Sequence, residues 1–140
     1  MNVVSNSGQP IEPLIRSEDP PDEIVVVIRG GPIAVEKIVE HARRQQAVYT
    51  YGGRPMIAVS VDLTIEGWSL DRILRERMWS RSTFSTTTVG ELHAAGYELV
   101  ATNAPPHYSV LLLRADEDSA RNFLGHFGPT MVNEYKQRRR

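Results

Sequence analysis

Cysteine is absent from the 140 residues, and histidine is scarce. Without a thiol the chain can form neither a disulfide, nor a thiolate metal site, nor a cysteine nucleophile. The four histidines are His41, His93, His107 and His126. No two of them stand four positions apart with a carboxylate on the same helical face, which is the pattern of zinc-type sites. We therefore expect no bound metal.

Long apolar runs are also missing. No stretch approaches the roughly 20 apolar residues that cross a bilayer, and the start, MNVVSNSGQP, lacks the basic and apolar regions of a secretory leader. The sequence thus predicts a cytoplasmic protein with no membrane partner. A net charge of -1 argues against a DNA-binding protein that depends on an overall positive charge.

The two ends of the chain differ in composition from its middle. Residues 1–23 are rich in proline and acidic residues, which predicts a flexible acidic arm. Residues 129–140 close on Lys136-Gln137-Arg138-Arg139-Arg140 and predict a basic tail. Residues 24–128 predict a single α/β domain, because a chain of this length supports one core. Charged arms often become ordered on binding, so we expect a protein partner.

Strand and helix patterns alternate through the middle of the chain. Ile24–Ile28 is a continuous β-branched run, typical of a strand buried on both faces, and residues 57–63 alternate as a second strand. Later helices have candidate N-caps at Ser69, at Thr88 and at Asp116 or Asp118. The approximate order is β-α-β-α-β-α-β-β-α, in which the last two strands form a hairpin. This order predicts a single mixed sheet with helices packed against it.

An arginine and two glycines follow the first predicted strand. Arg29-Gly30-Gly31 allows the backbone to approach a ligand, and a helix starting near Pro32 offers unpaired N–H groups to an anion. The Arg29 guanidinium would add a two-pronged contact. The simpler interpretation is that the glycines only turn the chain and that Arg29 pairs with a carboxylate.

A second glycine turn carries aromatic and basic side chains. Tyr51-Gly52-Gly53-Arg54 leads into a strand that bears Ser60 on its mixed face. Tyrosine rings together with an arginine can stack a base or a nicotinamide. The alternative interpretation is a hairpin turn with surface tyrosines.

Taken in order, Arg29, the Tyr51-Gly52-Gly53-Arg54 turn and Val59-Ser60-Val61 loosely resemble the layout of ADP-ribosyltransferase-like and RES-type bacterial toxin domains. The resemblance covers about the first half of the folded core. It implies NAD as the cofactor and ADP-ribosyl transfer as the activity. The ligand-binding residues that it implies are Arg29, Gly30, Gly31, Tyr51, Arg54 and Ser60.

Histidine and arginine residues elsewhere suggest chemistry on nucleic acid. His107 can act as a general base near the hydroxyls of residues 82–86, so the candidate catalytic residues are Arg29, Ser60 and His107. Phosphate contacts are predicted for Arg72, Arg75, Arg81, Arg138, Arg139 and Arg140. A solvated edge strand, a loop histidine and a solvated helix face explain the same residues without a function.

The leading hypothesis is a small bacterial toxin- or defence-associated domain that binds a nucleotide or NAD-like ligand. The alternative is a non-enzymatic module that binds RNA or a protein partner within a larger assembly. A third hypothesis is a ribonuclease that uses His107. The sequence leaves open whether the chain is an enzyme.

Overall fold

The computed structural model describes residues 9–30 and 34–136, in which eight strands and four helices alternate. They are β1 (Val25–Arg29), α1 (Val35–Val48), β2 (Thr50–Tyr51), β3 (Arg54–Pro55), β4 (Ala58–Leu63), α2 (Leu70–Glu76), β5 (Thr83–Thr88), α3 (Val89–Ala94), β6 (Leu99–Val100), β7 (His107–Leu111), α4 (Glu117–Leu124) and β8 (Met131–Val132). The predicted α/β class is confirmed. The observed order adds the short hairpin β2–β3 and the last strand β8 to the predicted one.

Six strands form one sheet in the order β6-β7-β4-β1-β5-β8, and β2 and β3 form a separate two-stranded sheet. Pairing between these strands is antiparallel throughout, whereas we had expected parallel and antiparallel pairs together. The expectation rested on the alternation of strand and helix patterns, which does not set the direction of the strands. The continuous apolar run of β1 reflects its central position and its burial on both faces.

Each face of the sheet has its own apolar core because side chains alternate along the strands. On one face Val26 and Ile28 of β1 pack with residues of α1 and α4, including Ala42 and Phe123. On the other face Val27 packs with Phe84 of β5 and with the apolar side of α2. The central strands are therefore covered on both sides.

Three helix caps follow the sequence prediction. The side chains of Ser69, Thr88 and Asp116 accept hydrogen bonds from the backbone N–H groups three residues later, which begins α2, α3 and α4. The predicted hairpin of the last two strands is also present, as the antiparallel pair β6–β7. Sequence patterns within a few residues therefore predicted the starts of these three helices and the last hairpin correctly.

The end segments lie against the domain over the part that the structure describes. Ile11 forms an isolated bridge with Tyr49, and Ile15 forms one with Thr102, so this part of residues 9–23 lies against the domain by backbone pairing. At the other end β8 pairs with β5, within the predicted tail. Such pairing needs no apolar sequence pattern, and the flexibility of the acidic arm stays a prediction. No described helix is long and apolar enough to cross a membrane.

Candidate functional site

A cleft opens where the two central strands separate. β1 pairs with β4 at Val26–Leu63 and Val27–Asp62, and this ladder ends there although both strands continue. β1 remains paired with β5 as far as Arg29, and β4 remains paired with β7. The resulting cavity has a volume of about 970 Å³ and is lined by β1, β4, the first turns of α1 and parts of residues 77–83.

Backbone alternation determines which residues face this gap. Leu63 hydrogen-bonds toward β7 and Gly30 hydrogen-bonds toward β5. Successive residues of an antiparallel strand direct their backbone groups to opposite neighbours. Arg29 and Ser60 therefore direct their N–H and C=O groups toward the cleft between β1 and β4.

Ser60 lies between two imidazoles in this cleft. Its Oγ is 3.0 Å from Nε2 of His41 on α1 and 3.0 Å from Nε2 of His107 on β7. All three residues are half-buried and line the cavity. A helix and two strands thus bring together a hydroxyl and two nitrogen bases.

The hydrogen-bond partners of His107 favour one direction of the protons. Its Nδ1 lies 3.1 Å from the carbonyl oxygen of Thr102 and 2.9 Å from the Thr102 hydroxyl. Because a carbonyl oxygen only accepts, the first contact favours the tautomer with the proton on Nδ1, in which Nε2 of the neutral ring is an acceptor. In that tautomer Ser60 donates its hydroxyl proton to His107, and Nε2 of His41 is the donor to Ser60.

Burial keeps both imidazoles neutral. It is the largest cause that lowers the pKa of His41 below its ordinary value of 6.5, and the charges of Arg44 and Arg29 act in the same direction. Burial also lowers the pKa of His107, although the Thr102 hydrogen bond and the charge of Asp62 oppose it. The neutral form of both rings is accordingly favoured at pH 7.

The cleft has an excess of positive charge. Its described lining includes six cationic side chains and three acidic ones. Asp62 is buried and pairs with Arg77 at 3.0 Å. Among the described residues no carboxylate lies within 4.0 Å of Arg29, Lys37 or Arg81, since these appear in none of the ion pairs. Three cations therefore remain available to an anionic ligand.

The surroundings of Arg29 shift the pKa of its guanidinium. Partial desolvation lowers the pKa of Arg29, nearby Asp62 raises it, and nearby Arg81 and Arg77 lower it. The guanidinium stays charged at neutral pH. The Arg29 guanidinium thus lies near Arg77 and Arg81, and binding of an anion would offset the repulsion among these charges.

Arg16, which precedes β1, supports the loop that leads into His107 at the start of β7. Arg16 donates through Nη1 to the carbonyl oxygens of Thr102 and Asn103 at 2.9 Å and 2.7 Å, and through Nη2 to the carbonyl of His107 at 3.2 Å. Its guanidinium also lies 5.2 Å from the centre of the Tyr108 ring. Arg16 is therefore a positioning residue for His107.

The structure separates the predicted site residues into two groups. Arg29, Gly30, Ser60, Arg81 and His107 line the same cleft. Tyr51 and Arg54 belong to the β2–β3 hairpin and are not among the lining residues. The Tyr51 hydroxyl instead donates to Glu98 at 2.9 Å.

The remaining candidates lie elsewhere. Arg72 stacks on Trp68 with 3.7 Å to the ring centre, and Arg75 pairs with Asp71 at 2.5 Å, so both guanidinium groups are engaged on α2. Gly31 and the three terminal arginines, Arg138, Arg139 and Arg140, lie outside the described residues. Within residues 9–30 and 34–136, no group of three or more His, Asp or Glu is arranged to hold a metal ion.

Sequence reasoning missed His41. A signal was available, because His41 lies three positions after Ile38 and directly before Ala42, beside the buried stripe of α1. Its partner Ser60 is nineteen positions away and on another element. Only the packing of α1 against β4 brings the two together.

No family model, curated protein or solved structure matches this chain. The resemblance to ADP-ribosyltransferase-like and RES-type domains therefore stays a prediction.

Proposed function

We propose that this chain binds a nucleotide or a similar phosphate-bearing ligand in the cleft between β1 and β4. The observation that carries the proposal is the set of unpaired cations, Arg29, Lys37 and Arg81, on the wall of a cavity large enough for such a ligand. Arginine binds phosphate oxygens through two parallel hydrogen bonds. Anionic phosphate is therefore the ligand group that best matches this wall.

The start of α1 supports the same ligand. Ala34, Val35 and Glu36 line the cavity, and the N-cap Ala34 has no polar side chain that could occupy the first N–H groups, although the Glu36 carboxylate lies in the same turn. The first N–H groups of a helix and its dipole favour an anion. They reinforce the arginines here.

The proposal keeps part of the sequence-based hypothesis and revises its residues. Arg29, Gly30 and Ser60 remain, and Arg81 joins them from the residues predicted to contact phosphate. His41 and Lys37 are new. Stacking of a nicotinamide by Tyr51 and Arg54 receives no support, because these residues lie away from the cleft. A role in toxin or defence systems, ADP-ribosyl transfer, RNA binding and a protein partner remain predictions.

Isothermal titration of the full chain with AMP, ADP-ribose, NAD and a short RNA tests the proposal. We expect at least one of these ligands to bind. Replacement of Arg29 or Arg81 by alanine should weaken its affinity by about tenfold or more, because each substitution removes charge-assisted hydrogen bonds. Higher salt should weaken RNA more steeply than a mononucleotide.

The matched control is Arg54→Ala, which removes an exposed arginine from the hairpin. Its affinity should equal that of the wild type, since distant substitutions act independently. Absence of binding by all four ligands would contradict the proposal. Equal losses in Arg29→Ala and Arg54→Ala would contradict the assigned location.

A further inference from the structure

We infer that Ser60 is a nucleophile activated by His107, and that the cleft cleaves a phosphate ester of the ligand that it binds. The inference rests on the proposed function for its substrate class. Its geometric basis is the directed chain of hydrogen bonds from His41 through Ser60 and His107 to Thr102.

His107 meets the geometric requirements for a general base. Its Nε2 accepts the Ser60 proton at 3.0 Å, within the range needed for proton transfer. The Thr102 carbonyl holds the opposite ring nitrogen, which fixes the tautomer and stabilises the imidazolium that forms. Arg16 holds the same loop in place.

The reaction balances with water as the only co-reactant. Ser60 Oγ attacks phosphorus while its proton moves to His107 Nε2, and the bond from phosphorus to the leaving oxygen, which lies in line on the far side of phosphorus, breaks as that oxygen takes a proton from solvent. Water then attacks the seryl phosphate from that far side and releases a proton to solvent, while His107 returns its proton to Ser60 Oγ as the phosphate leaves. Arg29 and Arg81 stabilise the charge on the phosphoryl oxygens.

His41 has a different task. As a neutral donor it cannot give up its Nε2 proton to a leaving group without forming an imidazolate, so it orients a lone pair of Ser60. His41 is therefore a positioning residue. Its replacement by glutamine retains a donor and should preserve more reactivity than replacement by alanine.

Covalent labelling with a fluorophosphonate tests Ser60 without knowledge of the substrate, since displacement of fluoride from phosphorus copies the first step. We expect one label, mapped to Ser60 by peptide mass. The label should disappear in Ser60→Ala and form about 100-fold more slowly in His107→Asn. Ser82→Ala, which changes another serine of the cleft, should label like the wild type.

A second variant uses the absence of cysteine from the chain. Ser60→Cys introduces a single thiol beside His107, and its alkylation by iodoacetamide at pH 7 should be faster than that of Ser82→Cys. The imidazole would promote the thiolate, which is the reactive form. The rate advantage should vanish when His107→Asn is added, while circular dichroism confirms that the variants fold.

Different experimental results would contradict the inference and the proposed function. An unlabelled Ser60, or equal alkylation of the two cysteine variants, would overturn the nucleophile even if nucleotides bind. Ser60→Ala retains Arg29 and Arg81, so its titration with nucleotide still measures the proposed function. A reactive Ser60 without nucleotide binding would support the nucleophile and remove the proposed ligand class.

Discussion

The two glycine turns of the chain look alike in sequence and lie in different surroundings. Gly30 and Gly53 both have positive φ angles, 77° and 80°, and each stands next to an arginine. Gly30 follows a central strand and lines the cleft, whereas Gly53 turns the β2–β3 hairpin. Whether a glycine turn borders a candidate site therefore depends on the strands beside it and not on the residues of the turn itself.

The hydrogen bonds that stabilise the two regions also differ in their burial. Near the cleft, the buried Asn133 side chain donates to the carbonyl oxygens of Met78 at 2.8 Å and Arg81 at 3.2 Å. The hairpin is held by an exposed hydrogen bond from Tyr51 to Glu98. Buried polar contacts cost more to lose than exposed ones.

The largest effect is expected from Asn133→Ala. The substitution removes the hydrogen bonds that the buried Asn133 amide donates to the carbonyl oxygens of Met78 and Arg81, so the free energy of unfolding should fall by about 2–3 kcal/mol in urea denaturation. Tyr51→Phe, the matched change in the hairpin, should cost less than about 0.5 kcal/mol. Similar losses in both variants would show that the two regions are supported equally.

A smaller loss of stability is expected at acidic pH, and it should originate in the two histidines of the cleft. The folded pKa values of His41 and His107 are lowered, so the unfolded chain binds more protons once the pH falls below about 6.5. Their contribution to stability is complete above that pH and is lost as the pH falls through the folded pKa values. The slope should reach at most about 1.4 kcal/mol per pH unit for each imidazole.

Urea denaturation of the wild type between pH 7.5 and pH 5 would measure this loss, with His41→Gln and His107→Gln as comparisons. Each substitution should flatten the profile, because glutamine does not titrate in this range. Arg54→Ala in the hairpin should keep the wild-type profile. Unchanged profiles in both glutamine variants would place the pH dependence elsewhere.

The smallest effect comes from the glycines themselves. Gly30→Ala and Gly53→Ala should each lower the free energy of unfolding by about 1 kcal/mol, because alanine disfavours a positive φ. Among the residues that the structure describes, a methyl group at Gly30 would contact Ala34 at 3.5 Å, and one at Gly53 would meet no atom within 4 Å. In nucleotide titrations only Gly30→Ala should weaken binding, whereas equal effects would erase the distinction between the turns.

Local chemistry explains which parts of the fold could be predicted. Ser69, Thr88 and Asp116 act on backbone groups three residues away, so their sequence neighbours were sufficient to identify the helix starts. The direction of β1 relative to β4 depends on partners far along the chain. The sequence pattern of a buried strand contains no information about that direction.

The candidate site could be predicted only as separate residues. Arg29, Ser60 and His107 each stood out by type and position, but nothing in the sequence showed that they share one cleft. Arg54 stood out on the same grounds and lies elsewhere. The distinction depends on the separation of β1 from β4 and on the packing of α1, which are both tertiary properties.

The separation of β1 from β4 also bears on how the sheet moves. The halves β6-β7-β4 and β1-β5-β8 meet through the pairs Val26–Leu63 and Val27–Asp62 and through a hydrogen bond from the Thr64 N–H to the Val25 carbonyl, while the β4–β7 and β1–β5 ladders are longer. Widening the cleft therefore breaks fewer backbone hydrogen bonds than a division at either of those ladders. We expect local opening at this junction, so that amide hydrogens between β1 and β4 exchange with solvent before those between β4 and β7.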